Sequence, residues 1–280
     1  MKKLFSILSI VTLAATVHAG TITVKGSDTL VILAQKWAEV YMNDHKDVKI
    51  QVSGGGSGIG FAALQNKTTD LCDASRKIKA AEIAKCRMVF DNKMPTEYKV
   101  ALDGLSVYVN PENPLKELTL DQVGDIFTGK TKNWKEVGGP DAPITVYSRE
   151  NSSGTYEFFK EHVLKGSDFA ASAQTMPGTA AIVQAVVKDK NSIGYGGAAY
   201  GGSSKLLLIK KDDSSPAIAP TEENVVNGTY PIWRHLYIYL NPAQDKGEIA
   251  AYLNWIRSDD GQKYVKDIGY YPLPKNLRSN

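Results

Sequence analysis

The chain has 280 residues, with 33 Lys and Arg against 30 Asp and Glu and a formal net charge of +3. That balance, with no stretch that concentrates Lys and Arg among aromatics, argues against a nucleic-acid binder. Two cysteines and no Cys/His cluster leave no metal-site spacing, so neither metal nor cofactor is expected.

Lys2 and Lys3 precede an apolar run from Leu4 to Ala15, and Val17-His18-Ala19 fits the small-x-Ala rule of a cleavage site. The run is too short and wrongly flanked to span a membrane. Residues 1–19 therefore read as a signal peptide cut after Ala19, and no Cys follows to carry a lipid anchor. Cleavage takes 33 basic residues to 31 against 30 acidic ones, a net charge near +1. About 260 residues remain, enough for one large domain or two modest ones with a real core.

The first elements after the cut are a strand with Ile22 and Val24 in alternation, then a helix with Leu30, Leu33, Trp37, Val40 and Tyr41 on one face. Gly26-Ser27-Asp28-Thr29 joins them and supplies helix N-cap candidates. The next strand carries Val48, Ile50 and Val52, and Ile59, Ala62 and Ala63 begin a second helical pattern. Ser53-Gly54-Gly55-Gly56-Ser57-Gly58 lies between them. So many glycines cost conformational entropy, and their use is a backbone that approaches a ligand closely with its N–H groups turned inward. Ser75 and Arg76 follow a short apolar element.

Cys72 and Cys86 are an even pair in a chain read as exported, so a disulfide between them is expected. Closing a loop of about 15 residues would add roughly 3 kcal/mol.

Residues 124–131, Gly-Asp-Ile-Phe-Thr-Gly-Lys-Thr, match the phosphate-loop pattern G-x-x-x-x-G-K-[ST]. A working phosphate loop opens a helix, whereas here Leu120, Val123, Ile126 and Phe127 place the helix before it. Thr119 and Gln122 form a capping box at its start, and Gly129 reads as the glycine that ends it. Nucleotide hydrolysis is not expected from this motif.

A third joint follows the strand of Ile144 and Val146 and precedes a helix with Phe158, Phe159, His162 and Val163 on a face. Arg149 sits before the helix mouth formed by Ser152, Ser153, Gly154 and Thr155. A guanidinium offers a planar fork of donors that suits a tetrahedral oxyanion. Three hydroxyl-rich helix N-termini, each worth about half a positive charge, together with Arg76 and Arg149 could ring one small anion.

The segments GSDTL, SGGGSGIG, DASRKI, DIFTGKTKNW, SRENSSGT and IGYGG occur in this order. In them the chain resembles the periplasmic phosphate-binding proteins of phosphate ABC transporters, the PstS-like family, over nearly its whole mature length. The resemblance implies an α/β fold: a two-lobed periplasmic binding protein of type II, with mixed sheets flanked by helices and a ligand cleft between lobes. It implies lobe 1 from residues 20–104 and 230–280, lobe 2 from 105–229, and chain crossings near ALDGLSVYVNPENP and WRHLYIYLNP. The phosphate-binding set it implies is Ser27, Asp28, Thr29, Leu30, Ser57, Ser75, Arg76, Arg149, Ser153, Gly154 and Thr155. At position 76 the family divides, long members having Asp where shorter ones often have Ser-Arg as here. With Arg76 in place, the acceptor for the phosphate proton must come from elsewhere, and Asp28 and Glu150 are the candidates.

The expected function is capture of inorganic phosphate in the periplasm and delivery to inner-membrane ABC permease subunits, by a monomer without catalytic residues. The alternatives are an exported phosphatase, or a sensor or adhesin that kept the fold. A serine phosphatase needs a base beside the nucleophile. The three mature histidines, His45, His162 and His235, are far in sequence from the glycine loops, and Ile59 breaks the G-x-S-x-G pattern around Ser57.

Overall fold

The computed structural model describes residues 20–278, so the expected leader and its cut lie outside the described residues. The order begins β1 (Thr21–Gly26), α1 (Val31–Asp44), β2 (Lys49–Ser53), α2 (Ser57–Gln65), β3 (Leu71–Ala74), α3 (Ala80–Val89) and the long strand β4 (Thr96–Val109). It continues with β5 (Glu117–Thr119), α4 (Leu120–Thr128), β6 (Thr145–Arg149), α5 (Gly154–His162), β7 (Gln174–Met176), α6 (Gly178–Lys188) and β8 (Ser192–Gly197). It ends with β9 (Lys205–Leu206), β10 (Leu208–Lys210), α7 (Glu222–Val226), β11 (Trp233–Leu240), α8 (Gly247–Arg257) and α9 (Asp259–Ile268).

The apolar periods of the sequence become the buried faces. In β1, Ile22 and Val24 are buried while Thr21 and Thr23 are not. In α1, Leu33, Trp37 and Tyr41 form the buried stripe. In α5 only Phe159 of the expected aromatic face is buried within the helix, and His162 is exposed at its edge.

A nine-stranded sheet runs β2-β1-β3-β11-β4-β8-β6-β7, with β9 also on β4. Its two ends are parallel, β1 with β2 and β3, and β6 with β7 and β8. The middle is antiparallel, and β4 serves both halves. Residues Thr96–Gly104 pair with β11, and Leu105–Val109 pair with β8. Each half has its own core. Trp37, Leu236 and Tyr252 belong to one cluster, Phe127, Phe159 and Tyr195 to another. Each such side chain contributes about 1.5–3 kcal/mol on full burial. The result is a two-lobed mixed α/β fold in which β4 and β11 cross between the lobes. Parallel strands β1 and β6 end at the joint, and the helices that follow start there.

The phosphate-loop look-alike is a helix exit. Thr119 Oγ1 accepts from Gln122 N at 3.2 Å and Gln122 Oε1 accepts from Thr119 N at 2.8 Å, which closes the capping box of α4. Gly129 ends the helix in the left-handed region at φ 79°, and Lys130 pairs with Asp125 at 3.0 Å.

The expected disulfide is absent: Cys72 on β3 and Cys86 on α3 are buried free thiols. Both sit in an apolar cluster with Phe61, Phe90 and Tyr239. Burial pushes the Cys86 thiol up to about 11 and the Cys72 thiol well above its usual range. Disulfide exchange proceeds through the thiolate, which this environment suppresses. The cysteines act as small apolar fillers between β3 and the helices over it.

Candidate functional site

Three helix N-termini converge between the lobes. α1 follows the Gly26–Thr29 joint, α2 begins at Ser57 and α5 begins at Gly154. Ser27, Thr29, Ser57, Ser75, Ser153 and Thr155 are each at most 2% exposed. Four of their hydroxyls form one chain: Thr29 Oγ1 lies 2.8 Å from Thr155 Oγ1, which lies 3.4 Å from Ser75 Oγ, which lies 3.3 Å from Ser57 Oγ. Ser75 N also donates to Ser57 Oγ at 3.0 Å. The lobes approach so closely here that a Cβ on Gly154 would collide with the Ser57 and Ser75 hydroxyls. Gly56, at φ 97°, likewise lets the glycine loop press on the Ser152 carbonyl, and Gly58 N donates to that carbonyl at 2.9 Å.

The remaining sequence candidates divide. Ser27 donates its N–H to Asp73 O at 2.9 Å, and Leu30 donates its N–H to Ser27 O at 3.0 Å. Ser153 caps α5, its hydroxyl accepting from Tyr156 N at 3.2 Å. Asp28 bridges the lobes: Oδ1 accepts from Gly55 N and Oδ2 from Arg149 Nη2, both at 2.8 Å. Arg149, 2% exposed, also donates to Glu150 and, through Nη1, to Thr179 Oγ1 at 2.8 Å. Burial alone would lower its pKa, but Glu150 and Asp28 hold it above the ordinary arginine value. The converse holds for Glu150, whose pKa burial would raise and Arg149 pulls below the usual carboxylate range.

Arg76 turns away from the hydroxyl chain. Its guanidinium bonds Glu82 through Nη1 and Nη2, both at 2.8 Å, and its Nε lies 2.5 Å from Glu157 on α5. The second cation at the hydroxyl cluster is Arg234, from the crossing strand β11. Nη2 donates to Thr155 Oγ1 at 3.0 Å and Nη1 to Ser75 O at 2.9 Å. Nε and Nη2 bind Asp103 Oδ2 at 2.9 and 2.8 Å. Sequence reasoning missed Arg234, Asp103 and Thr179. A signal for the first two was present, since each is a lone charge inside an apolar strand pattern, and charges bury only when paired. Two tyrosines close the flank, Tyr200 OH donating to Asp28 O at 2.7 Å and Tyr270 OH to Thr29 O at 2.6 Å.

Hydroxyls, helix N-termini and two buried guanidiniums are the chemistry that a small anion calls for. A family model described as a PBP superfamily domain matches residues 13–260. Phosphate-binding protein PstS of Pseudomonas aeruginosa is 36% identical over 275 residues, covering 92% of this chain and 85% of the relative. The chain belongs to the PstS-like family. Phosphate-binding protein PstS of Staphylococcus epidermidis is 37% identical over 259 residues, covering 90% of this chain and 78% of the relative. Among solved structures, a putative phosphate ABC transporter substrate-binding protein with bound phosphate from Clostridium perfringens superposes with a TM-score of 0.83. It is 28% identical, over 91% of this chain and 100% of that one. A Vibrio cholerae ABC-type phosphate transport receptor gives a TM-score of 0.72 at 27% identity, over 90% of this chain and 100% of that one. PstS relatives are thus similar to this chain in sequence over most of their length, and the two solved structures in fold over their whole length.

Proposed function

We infer that the chain binds inorganic phosphate between its lobes, in the periplasm after cleavage behind Ala19, and hands it as a monomer to the permease subunits of an ABC transporter. The observation that carries this reading is the hydroxyl chain Thr29–Thr155–Ser75–Ser57, with Arg234 bonded to Thr155 and Arg149 bonded to Asp28, the neighbour of Thr29. Thr29, Ser57, Ser75 and Thr155 supply hydroxyls to the phosphate oxygens and the backbone at Gly154 supplies an N–H group, whereas the N–H groups of Leu30 and Ser153 are held by Ser27 O and Glu150 O at 3.0 Å each. Arg149 and Arg234 supply charge, with Ser27 shaping the first joint. Arg76 belongs to the wall of the site and acts as a tie between lobes. Asp28, which reaches Arg149 and the glycine loop together, is the acceptor for the phosphate proton, and it repels an unprotonated dianion such as sulfate. The change of β4 from β11 to β8 between Gly104 and Leu105 supports a division into 20–104 with 230–280 and 105–229.

Binding rather than hydrolysis is the function. The partners of Ser57 Oγ are Ser75 N and Ser75 Oγ, and activation of a serine needs a general base. Calorimetric titration with phosphate, arsenate and sulfate tests the reading. Phosphate should bind with a dissociation constant of about 1 μM or tighter, worth roughly −8 kcal/mol, and sulfate should give no saturable heat. Equal binding of sulfate would assign the site to another oxyanion, and turnover of a chromogenic phosphomonoester lost in Ser57→Ala would make the protein an enzyme.

A further inference from the structure

The joint between β1 and α1 starts its helix late. Ser27, Asp28 and Thr29 precede α1, yet no side chain caps it. The helix begins at Val31, with Ala34 N bonded to Leu30 O at 2.8 Å. An earlier start would give the carbonyls of Asp28 and Thr29 to the N–H groups of Ile32 and Leu33, four positions on. Both carbonyls go instead to tyrosine hydroxyls, Asp28 O to Tyr200 at 2.7 Å and Thr29 O to Tyr270 at 2.6 Å. Thr29 thus spends neither oxygen on the helix, for its hydroxyl lies 2.8 Å from Thr155 Oγ1.

The two tyrosines reach the joint from different lobes. Tyr270 follows α9 and is buried in the cluster of Trp37 and Tyr252. Tyr200 ends the turn Ala198–Tyr200 that follows β8. Its ring packs both on that cluster and on the cluster of Tyr108 and Ile182 in the other lobe. Burial and the Asp28 charge push the Tyr200 pKa up to about 12, against the Ile32 N–H that lowers it, so the hydroxyl keeps its proton and donates.

We propose that Tyr200 is a positioning residue for the phosphate site, a role that rests on the phosphate reading above and deepens it. As the lobes close, its hydroxyl takes the Asp28 carbonyl, holds back the first turn of α1 and keeps the Thr29 hydroxyl in the cradle. Without that hydroxyl the Ile32 N–H takes the Asp28 carbonyl. The helix then lengthens towards Asp28, and Thr29 is drawn into it with its hydroxyl turned from Thr155. Tyr200 therefore acts through Thr29 and not on the anion.

The test is calorimetric titration of the full mature chain with phosphate, before and after Tyr200→Phe, which removes the hydroxyl and keeps the ring. Affinity is expected to fall roughly tenfold, the measure of one well-placed hydrogen bond, with release faster by a similar factor in stopped flow. In urea without phosphate the variant should unfold at the parent's midpoint, because Asp28 O regains a partner in Ile32 N. The second arm is Thr29→Ala, in which adding Tyr200→Phe should change affinity by less than about twofold, since the hydroxyl to be positioned is gone. The proposal is overturned by parental affinity in Tyr200→Phe, by a loss that repeats in full in Thr29→Ala, or by a lowered urea midpoint with phosphate affinity kept. The parent's own titration separates the two readings. Saturable phosphate binding by the parent with an indifferent Tyr200→Phe rejects the role of Tyr200 alone, whereas no binding by the parent rejects the phosphate reading and this role with it.

Discussion

Arg234 and Asp103 form an ion pair sealed from water, with side-chain exposures of 2% and 0% and Nη2 lying 2.8 Å from Oδ2. Burying two charges costs several kcal/mol per ion unless the remaining donors are satisfied. Here the spare donors of Arg234 go to Ser75 O and Thr155 Oγ1. The ion pair therefore joins β4 and β11 to the hydroxyl chain, and through Thr155 to the start of α5. The same guanidinium serves stability and ligand affinity, and the two can be separated by mutation.

Arg234→Ala should destabilise the fold by about 3–5 kcal/mol, because it leaves Asp103 charged and unpaired in the interior. Replacing both members, Asp103→Leu with Arg234→Met, should recover most of that loss in urea unfolding. Phosphate affinity should remain low in the double variant, since the donor to Thr155 is still missing. A double variant that binds phosphate like the parent would confine the pair to a structural role.

Arg149→Ala should weaken phosphate binding by at least ~2 kcal/mol, because a charge-assisted bond is lost in a dry cleft. Asp28 would lose a partner in the same step, as its Oδ2 accepts from Arg149 Nη2 at 2.8 Å. Calorimetry on Arg149→Ala and on Arg149→Lys distinguishes charge from geometry. Lysine should recover only part of the affinity, because it cannot hold Asp28, Glu150 and Thr179 with one rigid fork. Parental affinity in Arg149→Ala would remove Arg149 from the site.

What could be read in the sequence was local. A strand, a run of Gly and Ser, and an amphipathic helix form a contiguous grammar, so the joints at Thr29, Ser57 and Thr155 were visible without a fold. The helix exit at Gly129 was visible for the same reason, because its caps lie within a single turn. Arg234 and Asp103 are 131 positions apart, and nothing in a linear reading says which apolar strand passes behind which loop. Arg76 adjoins Ser75 in sequence, so a linear reading sets it at the anion, whereas Glu82 and Glu157 draw its side chain away from the hydroxyl chain. The cysteines misled through the same proximity: nearness in sequence says nothing of how two sulfurs are surrounded in an apolar cluster.

Glu157 ties the lobes together. It lies 2.5 Å from Arg76 Nε and 2.7 Å from Lys79 Nζ, both on the segment that follows β3. Arg76 is only 8% exposed, so its half of the bridge is shielded, while Lys79 at 53% contributes little. Glu157→Gln should favour lobe opening by about 1 kcal/mol. Stopped-flow measurement should then show a several-fold faster phosphate release and a nearly unchanged association rate. Unchanged release would mean that the bridge does not bias closure.

Asp73 carries a pH dependence that phosphate does not. It sits on β3, 2% exposed, with Oδ1 lacking any partner among the described residues. Burial pushes its pKa up from the ordinary 3.8 to about 7. Below the ordinary value both the folded and the unfolded chain hold the proton, and Asp73 carries no penalty. Between the two values the folded state keeps a proton that the unfolded state has released, so stability falls as pH rises. Above pH 7 the full penalty applies, roughly 4 kcal/mol at most. Asp73→Asn cannot ionise, so its melting temperature relative to the parent should improve from pH 4.5 to about pH 7 and then level off. Any packing cost of the amide is the same at every pH and drops out of that trend. A difference between variant and parent that stays constant across the range would mean that Asp73 is ionised throughout and stabilised by a partner that the apolar surroundings of β3 do not offer.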